Sequence, residues 1–254
     1  MNTLERALIE KSGRENGWEN VQQSDENAII LSSARHRAST TIRPATEGEF
    51  CTIEPPPGLI AQEMLRAFPN NSVDGKLFQA SQPVELAIIF RRMAELALSL
   101  PNQAAITYVE RLKNALSEKT DPSECQTEVE RMVKQRVGQD TFREALLAYW
   151  GGTCALTGIT VKEILRASHI KPWSDCQNDN ERLDVYNGLL LCANLDALFD
   201  RGLISFNQNG LIQISTKLNS NQRKSLNLSE NMHLLWISPE HQKYLHYHNK
   251  QIFQ

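Results

Sequence analysis

The sequence predicts an α+β protein in two parts, and three observations support this class. Segments with apolar residues at helical spacing flank short segments in which apolar and polar residues alternate. The alternating segments lie close together and are separated by turn residues, which is typical of antiparallel strands. No internal repeat and no glycine-rich phosphate loop occurs in the chain. We therefore expect a small N-terminal antiparallel sheet with helices, followed by a separate C-terminal domain.

The N-terminal part begins with a predicted amphipathic helix over residues 3–16, and Gly17 follows its end. The residues expected to face the core are Leu4, Leu8 and Ile9. Residues 26–44 and 47–56 alternate in polarity around turn residues, which predicts two or three antiparallel strands. The helices expected after these strands span residues 59–69 and 83–101.

The polar segment 113–128 contains a proline and is the best candidate for a linker between domains. It divides the chain into an N-terminal α+β module, residues 1–112, and a C-terminal domain, residues 129–254. The N-terminal module contains no motif that indicates a chemical activity.

The C-terminal domain begins with a predicted helix over residues 129–152, or two helices that meet at Gly138. Its apolar stripe consists of Phe142, Leu146, Leu147 and Trp150. A β-hairpin is expected next, with residues 154–158 as its first strand and residues 165–170 as its return strand. A long polar loop, residues 171–186, follows the return strand.

Two further elements are predicted near the C-terminus. The segments GLISF and GLIQIS form a closing hairpin around residues 207–210. The tail, residues 233–253, is predicted to form a strand and then a helix, with Ser238 as the N-cap and Pro239 in the first helical position. We expect this helix to pack on the domain as a lid.

Composition restricts the possible classes of protein. A chain of 254 residues with 41% hydrophobic and 22% charged residues is long enough to bury a sizeable core. There is no apolar run long enough to cross a membrane and no apolar core of a signal peptide near the N-terminus, so a cytoplasmic location is expected. The net charge of -3 argues modestly against a nucleic-acid-binding protein, although acidic metal ligands would also lower the charge.

The cysteines do not form a recognisable framework. There are 5 of them, an odd number, and they are scattered along the chain, which fits reduced thiols better than disulfides. Cys154 and Cys192 could each begin a CxxC pair, but Thr157 and Leu195 occupy the partner positions. Two thiols do not make a four-cysteine zinc site, so no structural zinc is expected.

The chemistry of the chain is concentrated between residues 154 and 206. His169 ends an apolar run, Asn187 stands 18 positions later, and Asp196 stands nine positions after Asn187. A neutral imidazole can accept a proton from water near pH 7, and oxygen ligands on a helix can hold a hard divalent cation. This order of residues is one way to bring a base and a metal ion together, and hydrolysis of a phosphodiester needs both.

These residues lie within the longer motifs ASHIKPW, residues 167–173, and NGLLL...LDALFDRGLISF, residues 187–206. The stretch resembles HNH endonuclease domains of the ββα-metal fold. The resemblance implies that His169 is the general base, that Asn187 holds the loop carrying the base, and that Asp196 is a metal ligand. It also implies Mg²⁺ or Mn²⁺ as the cofactor.

The sequence departs from the family pattern at two positions. Ser168 stands where the family often has an aspartate ligand, and Asp196 stands where it often has histidine or asparagine. Aspartate suits Mg²⁺ or Mn²⁺ at least as well as histidine, whereas serine is a poorer ligand. Asp200, one helical turn after Asp196, is a further candidate ligand, although it is equally consistent with a cap or a pair with Arg201.

The expected partner is DNA. Arg136, Gln139 and Arg143 lie in the segment QRVGQDTFR, which resembles the sequence preceding many domains of this branch, and their donors suit phosphate oxygens. Lys171 directly follows the predicted base and is a fourth candidate for contact with DNA. An exposed helical face explains the first three residues equally well. A homodimer would suit a double-strand cut but is not implied.

The resemblance predicts a DNA endonuclease, and family analogy suggests a bacterial restriction or phage-defence role. In proteins of this kind the N-terminal module could choose the DNA target, sense a modified base or bind a partner. The alternatives are a catalytically inactive DNA-binding or interaction protein, suggested by Ser168 and the low basic charge, and a nuclease that acts on RNA.

Overall fold

The computed structural model describes residues 1–45, 48–117 and 126–254, which form two compact units, Met1–Gln103 and Ala104–Gln254. Of the segment predicted as a linker, residues 113–117 end one helix, residues 126–128 begin the next, and residues 118–125 lie outside the described residues. The division of the chain at residues 113–128 stays a prediction. Within the described ranges, no helix has both the length and the apolar character needed to cross a membrane.

The first unit is built on a six-stranded antiparallel sheet with the strand order β1-β2-β3-β4-β6-β5. The strands are β1 (Asn20–Ser24), β2 (Ile29–Ser32), β3 (Ser39–Pro44), β4 (Cys51–Glu54), β5 (Ser72–Val73) and β6 (Leu77–Ala80). Apolar residues at alternate positions of the central strands, such as Ile29 and Leu31, are fully buried. The predicted antiparallel sheet is confirmed, while β1, β5 and β6 were not anticipated.

Three helices complete this unit, α1 (Thr3–Glu15), α2 (Leu59–Ala67) and α3 (Pro83–Ser99). The prediction that Leu4 and Leu8 face the core is wrong, because these side chains are 69% and 37% exposed. The buried face is displaced toward Ile9 and Gly13. A Cβ at Gly13 would lie 2.6 Å from Leu31 Cδ1, so glycine permits the close approach that determines which face is buried.

The helices of the second unit are α4 (Pro101–Ser117), α5 (Gln126–Tyr149), α6 (Asp179–Leu183), α7 (Ala193–Asp200), α8 (Ser220–Ser225) and α9 (Gln242–Gln251). Pro101 does not simply end the preceding helix, since it opens α4, where its missing N–H costs no hydrogen bond. Of the two alternatives for residues 129–152, a single helix is observed, and it passes through Gly138 without interruption.

Two short antiparallel pairs organise this unit. The first joins β7 (Leu165–His169) to β8 (Gly188–Cys192), with His169 opposite Gly188. The second joins β9 (Ile204–Phe206) to β10 (Ile212–Ile214), which confirms the predicted closing hairpin. Residues 154–158 are not a strand, contrary to the prediction, because the buried apolar run of β8 provides the partner for β7. They form a turn that is fastened to β8 by the Ala155 N–H to Leu190 O hydrogen bond of 2.7 Å.

The tail was predicted as a strand and a helix, and only the helix is observed. Residues 234–238 form no strand, because the Leu234 N–H bonds to Gly210 O and the Leu235 N–H bonds to Ala155 O, in two different loops. Ser238 caps a short 3-10 turn, Pro239–His241, that leads into α9. Helix α9 packs against β9, as expected for a lid on the domain.

Candidate active site

The site is carried by β7, β8 and α7. Strand β8 is buried along its whole length, which follows from the continuous apolar run of Leu189, Leu190 and Leu191. Helix α7 starts directly after β8 and packs against both strands. This arrangement places the end of β7, where Ser168 and His169 lie, beside the face of α7 that carries Asp196.

His169 has one ring nitrogen committed to the protein. Its Nε2 lies 2.9 Å from the backbone oxygen of Arg182. A carbonyl oxygen only accepts hydrogen bonds, so Nε2 carries the proton and Nδ1 is the basic nitrogen. Among the described residues, Nδ1 has no hydrogen-bond partner. Burial of the ring lowers the pKa of His169 to about 4, so the side chain is neutral at physiological pH.

The ring of His169 is also held by two aromatic side chains. Phe142 of α5 stacks on it with a centroid distance of 3.8 Å and an interplanar angle of 19°. Trp173 meets it edge-on at 5.6 Å. Sequence reasoning assigned Phe142 to an ordinary apolar stripe, and nothing in its spacing distinguishes it from Leu146. Its role depends on which side chain the tertiary structure places opposite it.

Arg182 organises the loop after β7. Its guanidinium donates to the backbone oxygens of Cys176 at 3.0 Å and Trp173 at 3.3 Å. It also pairs with Asp179 at 2.8 Å. These contacts hold Arg182 in place, and its backbone oxygen accepts the hydrogen bond from His169 Nε2. The backbone contact has no sequence signature, because every residue carries a carbonyl group.

Asn187 is completely buried and connects the two ends of the loop. Its Oδ1 accepts from the Lys171 N–H at 2.8 Å, and its Nδ2 donates to the backbone oxygens of Lys171 at 3.2 Å and Glu181 at 3.0 Å. Its own backbone oxygen accepts from the Ile170 N–H at 3.0 Å. The side chain is thus used fully within the protein, as a residue that orients the loop would be.

Ser168, Asp196 and Asp200 provide oxygen atoms next to His169. The Ser168 hydroxyl donates to the Asp196 carboxylate. Asp196 and Asp200 are separated by one turn of α7, and burial together with the charge of Asp196 raises the pKa of Asp200 to about 6. In the described part of the chain, no three His, Cys, Asp or Glu residues are grouped so as to hold a metal ion. The oxygen atoms available at this place are those of two carboxylates and a hydroxyl.

A cleft of about 370 Å³ brings several of these groups to the same surface. The residues lining it include Ser168, His169, Trp173, Asp200, His248 and Ile252. Asp196 does not line the cleft, but it accepts a hydrogen bond from Ser168, which does. His248 belongs to α9 and was not predicted to border the site. The sequence did contain one indication that His248 is buried: it lies four residues after the buried Tyr244, on the same face of an amphipathic helix.

The four predicted DNA-binding residues lie outside the lining of the cleft. Arg136 and Gln139 are exposed on α5. Arg143 instead donates to the backbone oxygens of Leu165 at 2.9 Å and Lys162 at 3.4 Å. Lys171 pairs with Glu181 at 2.8 Å. The structure thus places Ser168, His169 and Asp200 on one cleft, with Asp196 bonded to Ser168. Asn187 bonds to the backbone of Lys171, and neither Asn187 nor any of the four DNA-binding candidates lines the cleft.

Comparison with known families agrees with this arrangement. Residues 154–207 match the family model described as HNH endonuclease. This segment is an HNH endonuclease domain. It contains β7, β8, α7 and β9 and all of the candidate catalytic and metal-binding residues, so the HNH domain and the structural site coincide. No curated protein matched the chain in a sequence comparison. The presence of the HNH domain indicates nuclease activity in general terms.

The cysteines of the HNH domain are buried free thiols. Cys154 and Cys192 are shielded from solvent, and the Thr157 hydroxyl lies 3.7 Å from Cys192 Sγ. Cys51 and Cys176 are also buried and free, and Cys125 lies outside the described residues. Thr157, at the position where a second cysteine would complete a CxxC pair, therefore contacts a thiol through its hydroxyl.

Proposed function

We propose that the protein is a metal-dependent DNA endonuclease that hydrolyses phosphodiester bonds. The observation that carries the proposal is the state of His169: it is neutral, its Nε2 is fixed by the Arg182 carbonyl, and its Nδ1 is left without a protein partner. A ring held in this way in a cleft, next to two carboxylates, has the properties of a general base.

In the proposed reaction, Nδ1 of His169 accepts a proton from a water molecule as the water oxygen attacks the phosphorus atom. The bond between phosphorus and the 3′ oxygen breaks, and the leaving oxygen takes a proton from solvent. Asn187 keeps the loop closed around Lys171 and Glu181, which holds the Arg182 carbonyl in place nearby. The stacked Phe142 restricts the ring to one orientation. These contacts provide the positioning on which catalysis by a fixed base depends.

The oxygen donors fit a hard divalent cation. Two carboxylates and a hydroxyl suit Mg²⁺ or Mn²⁺, ions that keep several water ligands and need few protein ligands. The raised pKa of Asp200 reflects unfavourable charge beside Asp196, which a cation would relieve. We propose that Asp196 and Asp200 hold the ion, with Ser168 orienting Asp196 or binding the ion itself. When bound, the cation stabilises negative charge on the phosphate and on the leaving oxygen.

The proposed biological role is restriction of foreign DNA or defence against phage in the cytoplasm, with the N-terminal module involved in target recognition. This part of the proposal is supported by resemblance to the HNH family and not by a feature of the first unit. The proposed DNA contacts at Arg136, Gln139, Arg143 and Lys171 and a homodimeric state also belong to it.

The test is cleavage of supercoiled plasmid by the purified full-length chain with Mg²⁺, with Mn²⁺ and with a chelator. Cleavage that requires the metal ion is the expected result. The same assay on modified DNA, phage DNA and RNA defines the substrate. If none of these nucleic acids is cleaved but DNA is bound, the chain is a DNA-binding protein with an inactive nuclease fold.

A further inference from the structure

One face of helix α5 packs against the active site and continues toward the N-terminus of the helix. Phe142 stacks on His169, and one turn earlier Gly138 packs against Trp173, where a Cβ would lie 2.4 Å from the Trp173 Cη2 atom. Both positions are buried. Continuing toward the N-terminus at the same helical spacing, the face carries Gln135, Lys134 and Arg131, and all three are exposed.

The side that packs around His169 becomes a side with two exposed cations, an exposed amide and the half-buried Glu130, which lies one turn before Lys134. In the part of the chain that the structure describes, neither Arg131 nor Lys134 has an acidic group within 4.0 Å. Glu130 is the nearest acidic residue to Lys134 in helical spacing, and the more distant Glu144 pairs with Arg111 at 2.6 Å. The two cations are therefore available to a partner.

The position of these residues relative to His169 suits a polyphosphate partner. From Phe142 to Arg131 the helix rises about 16 Å, at roughly 1.5 Å per residue. Duplex DNA carries one phosphate for about each 1.7 Å of its axis, so DNA with one phosphate in the cleft has others along this distance. Arginine, lysine and glutamine donors are well suited to phosphate oxygens.

We propose that Arg131, Lys134 and Gln135 form a DNA-backbone contact surface on α5 that leads duplex DNA toward the cleft. The proposal rests on the nuclease function proposed above and adds a second set of residues on α5 to the DNA contacts named there.

The test measures binding of a fluorescent duplex of about 30 base pairs by the full-length chain, with His169→Ala introduced to prevent cleavage. Binding is recorded over a range of salt concentrations for three proteins: the parent, the Arg131→Gln/Lys134→Gln double variant and, as the control, Lys224→Gln, which changes an exposed lysine of α8 that is not a candidate for DNA contact. The logarithm of the binding constant falls linearly with the logarithm of the salt concentration, and each phosphate contacted contributes about 0.9 to the magnitude of the slope. Circular dichroism verifies that the helical content of each variant equals that of the parent.

We expect the double variant to bind at least about tenfold more weakly at moderate salt and to reduce the slope by about 2. The control is expected to retain the parent's slope. An unchanged slope in the double variant, or an equal loss in Lys224→Gln, would overturn the proposed surface. If the wild type cleaves plasmid in either of these cases, the nuclease function stands and only the surface is wrong. If the wild type neither binds nor cleaves DNA, both proposals are overturned.

Discussion

His169 and His248 have nearly the same surroundings and differ in one nitrogen atom. Each ring stacks on a phenylalanine, His169 on Phe142 at 3.8 Å and His248 on Phe199 at 3.9 Å. Each places Nε2 near a backbone oxygen, that of Arg182 for His169 and that of Phe199 for His248. Burial lowers the pKa of both to about 4. In His248, however, Nδ1 also has a partner, the Ser205 hydroxyl at 2.9 Å.

Neither burial, stacking nor a lowered pKa distinguishes the proposed base, His169, from His248. The distinguishing feature is the hydrogen-bond inventory of the ring. His248 uses both nitrogens to join α9 to α7 and β9, whereas His169 has Nδ1 left for a reacting molecule. The two residues therefore form a matched pair in which chemistry and stability can be separated.

The largest effect is expected from His169→Ala, which removes the proposed base. The cleavage rate should fall by about 10²–10⁴-fold, the usual contribution of a positioned base. In the companion variant His248→Gln, cleavage should stay within a few fold of the wild type at a temperature where the variant is folded. Initial rates of plasmid nicking measure both. Equal losses in the two variants would show that the site depends on packing and not on Nδ1 of His169.

Arg182→Ala tests whether the backbone partner of His169 must be held in place. Loss of the guanidinium contacts to Trp173 and Cys176 frees the loop, and displacement of a catalytic group by about 1 Å can cost up to about 10²-fold in rate. The cleavage rate should decrease while the substrate concentration for half-maximal rate changes little. The control, Asp179→Ala, removes the ion pair of Arg182 but leaves its two bonds to backbone oxygens. A normal rate in Arg182→Ala would mean that Asn187 and Phe142 suffice to position the base.

Asp196→Ala should change the metal dependence of cleavage rather than the base. Mutation of a residue that hydrogen-bonds to a metal ligand typically lowers metal affinity by about 10–100-fold. Loss of a direct ligand should lower it by at least as much. The concentration of Mg²⁺ or Mn²⁺ needed for half-maximal cleavage should increase by this factor. Ser168→Ala should give a smaller increase in the same direction if its hydroxyl only orients Asp196. An unaltered titration in Asp196→Ala would transfer the principal ligand role to Asp200.

The smallest effect concerns stability in acid, where the two histidines should behave alike. The pKa of His248 is about 4 in the folded protein and 6.5 in the unfolded chain, so the unfolded state binds a proton first as the pH falls. His248 therefore leaves the free energy of unfolding unchanged well above pH 6.5 and lowers it progressively as the pH falls toward 4. Between pH 6.5 and about pH 5, this one group should cost about 1.5 kcal/mol.

Urea unfolding of the wild type, His248→Gln and His169→Gln at a series of pH values measures this contribution. Each single variant should have a shallower decrease in the free energy of unfolding than the wild type, because one of the two groups no longer titrates. A decrease as steep as that of the wild type in His248→Gln would show that this ring is protonated in the folded state.

Several features of the protein followed from local sequence alone. Helical and alternating patterns correctly indicated the α+β class, since periodic burial of apolar side chains depends on neighbours along the chain. The closing hairpin was evident because NQNG provides the turn chemistry between two apolar segments. The order of His169, Asn187 and Asp196 within the longer motifs was sufficient to indicate an HNH domain.

Other features depended on residues far apart in the chain. Residues 154–158 were mistaken for a strand because an isolated segment contains no information about the competing partner, here β8. Leu4 and Leu8 were placed in the core because hydrophobicity alone does not reveal that Gly13 permits a close approach to Leu31.

The sequence by itself therefore determined the elements, their class and the residue types available for catalysis. Only the tertiary structure decided that His169 keeps a ring nitrogen without a protein partner while His248 does not. That distinction depends on the Arg182 carbonyl, the Phe142 ring and the Ser205 hydroxyl, which long-range packing places against the two imidazoles. A backbone carbonyl has no residue-specific signature, and a side chain's partner across the fold is determined by the geometry of the whole domain.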